Sequence, residues 1–193
     1  MSQIRGDSEG LAIALDGTYF VSFEGAARVR QQDGLRGYPT MLPRHPDFAR
    51  MALNAALEAL AIAADGALYA IPERPRPADA PFPVYRFRDD AWSIPFTIPR
   101  EGPYLISGAD IGPDGLLYVL ERAFVGLGFR SRVRRFDLNG NGGETVLATE
   151  TGDLGNMEGI SVWRDAAGLR MTLISDDNFT FLLSTQIAEF RLD

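Results

Sequence analysis

The sequence predicts an all-β fold of the β-propeller kind, with four visible blade repeats of about 49 residues. Three observations carry this. Four segments align from heads at Glu9, Glu58, Ser107 and Glu158, spaced 49, 49 and 51 residues apart. Each head opens a short apolar run, a turn and a second apolar run; the turns are Asp16-Gly17, Asp65-Gly66, Asp114-Gly115 and the longer Asp165-Ala166-Ala167-Gly168. The 20 glycines and 12 prolines are spread along the 193 residues, which suits many short strands better than a few long helices. A steady internal period of this length marks a repeat architecture.

The elements follow in order within each copy. The first strand lacks clean polar alternation, so burial on both faces is expected. An Asp-Gly pair favours a two-residue hairpin, because glycine supplies a positive φ at little cost. The second strands end at Glu24, Glu73, Glu121 and Asp176 when the copies are aligned by eye. Third strands follow around Val29, Tyr85, Val133 and Ile187, and a fourth is visible around Ile94 and Val146. Four antiparallel strands per repeat are the pattern of a propeller blade. The repeats fall at roughly 7–53, 54–104, 105–153 and 154–193, as one propeller domain or part of one. Residues 2–5 offer a closing outer strand, while residues 39–53 read as an insertion at a blade edge.

Composition excludes several chemistries. With 19 basic and 26 acidic residues, the net charge of −7 disfavours nucleic acid and anionic membrane surfaces as partners. No apolar run reaches the roughly 20 residues that span a bilayer, and no signal-peptide core opens the chain. There is no cysteine, which removes disulfides, thiolate nucleophiles and Cys-based zinc sites. The single histidine, His45, excludes two-histidine chemistry within one chain. Lysine is absent as well, leaving carboxylates, arginine, hydroxyls and backbone to handle any ligand.

Glu9, Glu58 and Glu158 occupy the same repeat position, with Ser107 in the third copy and Asp110 as its stand-in. Carboxylates at one repeat position that come together repel unless protonated or joined by a hard cation such as Ca²⁺. The other reading is that each acid accepts a backbone N–H at its own strand end. Asp176, Asp177 and Asn178 place three consecutive oxygen-bearing side chains in a turn, a candidate oxygen-ligand cluster or simply a turn. Arg122 offers either a bidentate clamp for phosphate or a partner for a nearby acid. Arg132 and Arg134 share a strand face that reads as a solvated edge.

The strings Asp7-Ser8-Glu9-Gly10-Leu11, Leu120-Glu121-Arg122, Asn156-Met157-Glu158-Gly159-Ile160 and Ser175-Asp176-Asp177-Asn178-Phe179 resemble the phytase-like family, the "esterase-like activity of phytase" proteins. The resemblance covers nearly the whole chain and places it at the C-terminal four-repeat portion of a larger ring of about six blades. It implies a periplasmic or secreted setting, although the chain itself shows no leader. It also implies a metal-dependent phosphoric-ester hydrolase acting on a small-molecule phosphate ester. In that reading the metal ligands are Glu9, Glu58, Asp110, Glu158, Asp176, Asp177 and Asn178, and the catalytic residues are Glu158, Asp176, Asp177 and Arg122. Two alternatives stand beside it: a non-catalytic ligand- or protein-binding propeller with structural calcium, and a metal-dependent lactonase or sugar-ester hydrolase. Two completions of the ring also stay open, namely further N-terminal blades and self-association.

Overall fold

The computed structural model describes residues 8–34, 36–51, 56–179 and 183–192. Its backbone is all-β apart from one short 3₁₀ helix, and its contacts divide it into two compact units, 1–99 and 100–193. No helix among the described residues is long and apolar enough to cross a membrane. Residues 2–5, the candidate closing strand, and Asp7 lie outside the described residues, as does the end of the insertion at Leu53.

The first unit contains two four-stranded antiparallel sheets. One is β1 (Ser8–Ile13), β2 (Thr18–Phe23), β3 (Arg28–Asp33) and β4 (Thr40–Met41); the other is β5 (Leu57–Ile62), β6 (Leu68–Pro72), β7 (Phe82–Arg88) and β8 (Ala91–Ile98). The second unit repeats the plan with β9 (Leu105–Ile111), β10 (Leu117–Val125), β11 (Gly128–Phe136) and β12 (Gly142–Ala148). Its other sheet has three strands among the described residues, β13 (Asn156–Asp165), β14 (Gly168–Asp176) and β15 (Ile187–Leu192). Every sheet is a meander in chain order, so the four sheets are propeller blades, as the repeat predicts.

The hairpin turns differ from expectation in an informative way. Gly17, Gly66 and Gly115 have φ of 86°, 84° and 77°, but their aspartates do not have positive φ. Gly17 N–H bonds to Ala14 O and Ala14 N–H to Thr18 O, so the first loop is a turn followed by a left-handed glycine, longer than two residues. The aspartate helps to hold it, since Asp16 Oδ1 accepts from Thr18 N–H at 2.9 Å. In the fourth copy, whose loop looks longest in sequence, Asp165 pairs directly with Gly168 across a two-residue loop.

The first unit packs Leu57, Leu60, Leu68, Val29 and Phe20 into one core. The insertion supplies a lid to it: a 3₁₀ helix, Pro46–Arg50, whose Phe48 is 2% exposed and meets Tyr85 and Trp92 edge-on. Burying such a ring contributes roughly 2–3 kcal/mol. His45 caps this helix, its Nδ1 accepting from Asp47 N–H at 3.2 Å. The second unit buries Tyr118, Leu120, Val133, Met157, Met171 and Leu173. Expected burial of the first strands on both faces holds for β5, but Leu11 and Ile13 of β1 are 59% and 61% exposed.

Glycine after the strand head lets two first strands approach within each unit. A Cβ on Gly10 would lie 2.7 Å from Leu60 Cβ, and one on Gly108 would lie 2.8 Å from Glu158 O. This places the head of each unit's second blade against the first blade. The acids that matter are therefore brought together by backbone packing.

Candidate functional site

The head residue of every blade sits on a β-bulge. Pairing skips Glu9 between Ser8 and Leu11, Glu58 between Leu57 and Ala59, Ser107 between Ile106 and Gly108, and Glu158 between Met157 and Gly159. A bulge inserts an unpaired residue and re-aims its side chain. Four bulges at one repeat position thus present four side chains by one device.

The same pairing identifies the partner position on the second strand. Pro72 lies opposite Leu57, Glu121 opposite Ile106 and Ser175 opposite Met157; the next residues are Glu73, Arg122 and Asp176. In the first blade Phe23 faces Ser8, so Glu24 is the equivalent. The set is therefore Glu24, Glu73, Arg122 and Asp176, and the by-eye alignment that put Glu121 there is off by one residue. One residue in a strand exchanges faces.

In the first unit, Glu9, Glu24 and Glu58 bring one carboxylate oxygen each within 4.8 Å of one another. They are the one such group of three acids among the described residues. Glu58 is 8% exposed, and Glu24 Oε1 also accepts from Ala56 N–H at 3.4 Å. That bond reaches from the end of the first blade's second strand to the residue before β5. The donor set is all oxygen and carries a formal −3 when ionised, which fits a hard divalent cation and leaves coordination positions for water or ligand oxygens. Glu73 directly follows β6 and precedes Arg74, its Oε2 accepting from Arg74 Nε at 3.1 Å.

The equivalent place in the second unit carries a different set. Ser107 replaces the first acid and donates its hydroxyl to Met157 O at 2.9 Å. Arg122 replaces the second, and its Nη1 donates to both Glu158 Oε1 and Asn156 Oδ1. Asn156, 1% exposed, donates to Glu158 Oε1 at 2.7 Å. One guanidinium now sits among these oxygens, so the local formal charge is zero. Sequence alone left Arg122 with two readings, and the structure shows it paired with an acid.

The remaining candidates hold backbone. Asp110 accepts from Ile111 N–H at 2.8 Å and from Val162 N–H at 2.6 Å, tying β9 to β13. Burial pushes its carboxyl up to about 6, against the two N–H bonds that lower it. Asp176 and Asp177 accept from Asn178 and Phe179 N–H at 3.0 and 2.9 Å, and Asn178 has φ of 49°. This is a pair of side-chain turns at the end of β14, with Asp176 opposite Asn156.

Sequence reasoning missed the largest charged feature. Glu121 is fully buried and accepts from Arg134 Nη2 at 2.7 Å and from Arg132 Nε at 2.8 Å, while Glu101 pairs with both arginines. Arg134 is 1% exposed, so the expected solvated edge is a buried ion network. The signal was present: two arginines at alternate positions on one strand, and an acid on the strand before it.

Comparison with known proteins adds the family. The sequence profile of the Phytase-like family, described as "Esterase-like activity of phytase", matches residues 2–179. No curated protein matches. Among solved structures, the nidogen/laminin complex is similar at a TM-score of 0.60 and 15% identity, over 87% of this chain and 56% of that one. A gluconolactonase from Xanthomonas campestris follows at 0.51 and 16%, over 86% and 53%. The RRP9 WD40 repeats reach 0.53 and 12%, over 96% and 52%. At these identities the likeness is one of fold. The chain spans between 52% and 56% of the length of these three structures.

Proposed function

The chain belongs to the phytase-like family, and from that premise we propose that it is the cation-binding portion of a metal-dependent phosphoric-ester hydrolase. The observation that carries the reading is the meeting of Glu9, Glu24 and Glu58. These three would hold the ion, with Ca²⁺ favoured by an all-carboxylate set and by the absence of cysteine and of a second histidine. A divalent cation bound there would neutralise charge on a phosphate ester and make a bound water easier to deprotonate.

The chain's own residues set the rest. The bulges fix Glu9 and Glu58 on rigid strands, and the burial of Glu58 strengthens its attraction to a cation. In the second unit, Arg122 is the proposed phosphate contact: a phosphate oxygen exchanges with one of its present acceptors. Glu158, released from that guanidinium, then becomes a carboxylate able to take a proton. Within the second unit, Asp176 and Asp177 stand beside Arg122 and Glu158 in the proposed catalytic set, Asp176 lying opposite Asn156.

Hydrolysis of a phosphate monoester and of a lactone, with Ca²⁺ and with chelator, tests this. The expected result is Ca²⁺-dependent turnover of the phosphate ester, reduced at least roughly 100-fold in Glu58→Gln. Turnover of the lactone alone overturns it in favour of a sugar-ester hydrolase. Ca²⁺ binding without turnover of either points to a binding propeller with a structural ion.

A further inference from the structure

A second concave site lies in the first unit, between the insertion and the second blade. It is a cavity of about 480 Å³ whose charged lining is dominated by Arg50, Arg74 and Arg76. Its walls include Pro75, Pro81 and Tyr85, and its one acid is Asp47. Asp47 is already engaged, accepting from the Tyr85 hydroxyl at 3.2 Å and lying 3.4 Å from His45 Nδ1. Three cations around a cavity in a chain of net charge −7 are a local reversal of the molecule's field.

We propose that this cavity binds a small ligand bearing an oxyanion, phosphate or carboxylate, on a flat apolar body. A guanidinium offers five N–H donors in a planar fork that matches such an anion. Arg76 uses Nη1 on Arg50 O at 2.6 Å, which holds its side chain to the insertion. Arg74 uses Nε on Glu73 at 3.1 Å, which leaves its terminal nitrogens to the cavity. Arg50 makes no side-chain hydrogen bond or ion pair among the described residues, which leaves its donors to a ligand. The prolines supply apolar rings without N–H donors on a backbone of fixed φ, a wall that loses little entropy on binding. Burial and the Asp47 carboxylate push the Tyr85 phenol upward, so it stays a protonated donor to Asp47 and does not add negative charge to the wall.

The site is separate in chemistry from the carboxylate cluster and does not rest on it. Calorimetric titration of the 193-residue chain with phenyl phosphate and with benzoate, at fixed ionic strength, tests the proposal. The expected dissociation constant is about millimolar or tighter for at least one probe. Arg50→Gln should weaken it at least 10-fold with a nearly unchanged melting temperature, because that exposed side chain makes no hydrogen bond or ion pair among the described residues. Arg50→Lys should fall between, and in chelator, where the carboxylate cluster holds no cation, Glu58→Gln should bind as the parent does. Preference for one probe assigns the anion as phosphate or carboxylate. No saturable binding of either probe to 10 mM, on the order of the weakest affinity the site could use, overturns the proposal. So does equal binding by Arg50→Gln, or loss of binding in Glu58→Gln.

Discussion

The two units solve one electrostatic problem in two ways. Each brings the bulge residue of its first blade, the second-strand end of that blade and the bulge residue of its second blade to the same repeat positions. In the first unit those are Glu9, Glu24 and Glu58; in the second they are Ser107, Arg122 and Glu158. The first set gathers three carboxylates, a donor set that fits a cation, whereas the second carries a guanidinium on Arg122. Equivalent backbone thus supports an all-carboxylate cluster in one unit and an arginine–carboxylate pair in the other.

The largest effect should come from the buried network that distinguishes the second unit. Arg134→Ala leaves Glu121 fully buried with its charge partly uncompensated, and should destabilise the chain by about 3–5 kcal/mol. Urea unfolding measures this, and a loss below about 1 kcal/mol would show that the network is solvated.

Exchanging the two solutions comes next. Ser107→Glu with Arg122→Glu should give the second unit a Ca²⁺-dependent stability, worth about 2.7 kcal/mol at 100 times the dissociation constant. Without calcium the double variant should melt below the parent. A variant equally stable in chelator and in Ca²⁺ would break the equivalence of the two positions.

Packing between the paired first strands should be comparably sensitive. Gly10→Ala places a methyl 2.7 Å from Leu60 Cβ and 2.8 Å from Leu60 N, and should cost about 1–3 kcal/mol. A neutral result would mean that the acids of the first unit are not held by that approach.

The smallest effect is a pH dependence. Asp110 has a folded-state carboxyl raised from 3.8 to about 6. The folded state therefore binds its proton more tightly than the unfolded chain does. Its contribution is most favourable below about pH 4, is lost as pH rises through about 6, and is flat above that. The expected change is at most about 3 kcal/mol, reduced by the partial exposure of Asp110. Comparing melting temperatures of the parent and Asp110→Asn from pH 4 to 7 should show the parent's advantage shrinking across that window. An advantage that grows instead would contradict the assignment.

Much of this was legible in the sequence, and the failures share a cause. The period and the shared place of Glu9, Glu58 and Glu158 follow from repetition, which needs no geometry. Register does not follow. The run Leu116-Leu117-Tyr118-Val119-Leu120 is apolar throughout, so nothing in it says which side faces the bulge, and Glu121 was assigned the place that Arg122 holds. That one-residue slip also hid the buried network, because it turned Glu121 away from Arg132 and Arg134. Glu24 was seen as a strand end that could meet the first-strand heads, but its meeting with Glu9 and Glu58 depends on Gly10 admitting the next blade's strand. The cavity of Arg50, Arg74 and Arg76 joins the insertion to the loop after β6, two segments that the repeat does not relate.

The most direct test of the central claim is calorimetric titration of Ca²⁺ into the intact chain and into Glu58→Gln. The account predicts saturable binding to the parent, weakened by a factor of about 10 or more when one buried carboxylate is neutralised. Absence of binding to the parent, or equal affinity in Glu58→Gln, would contradict it.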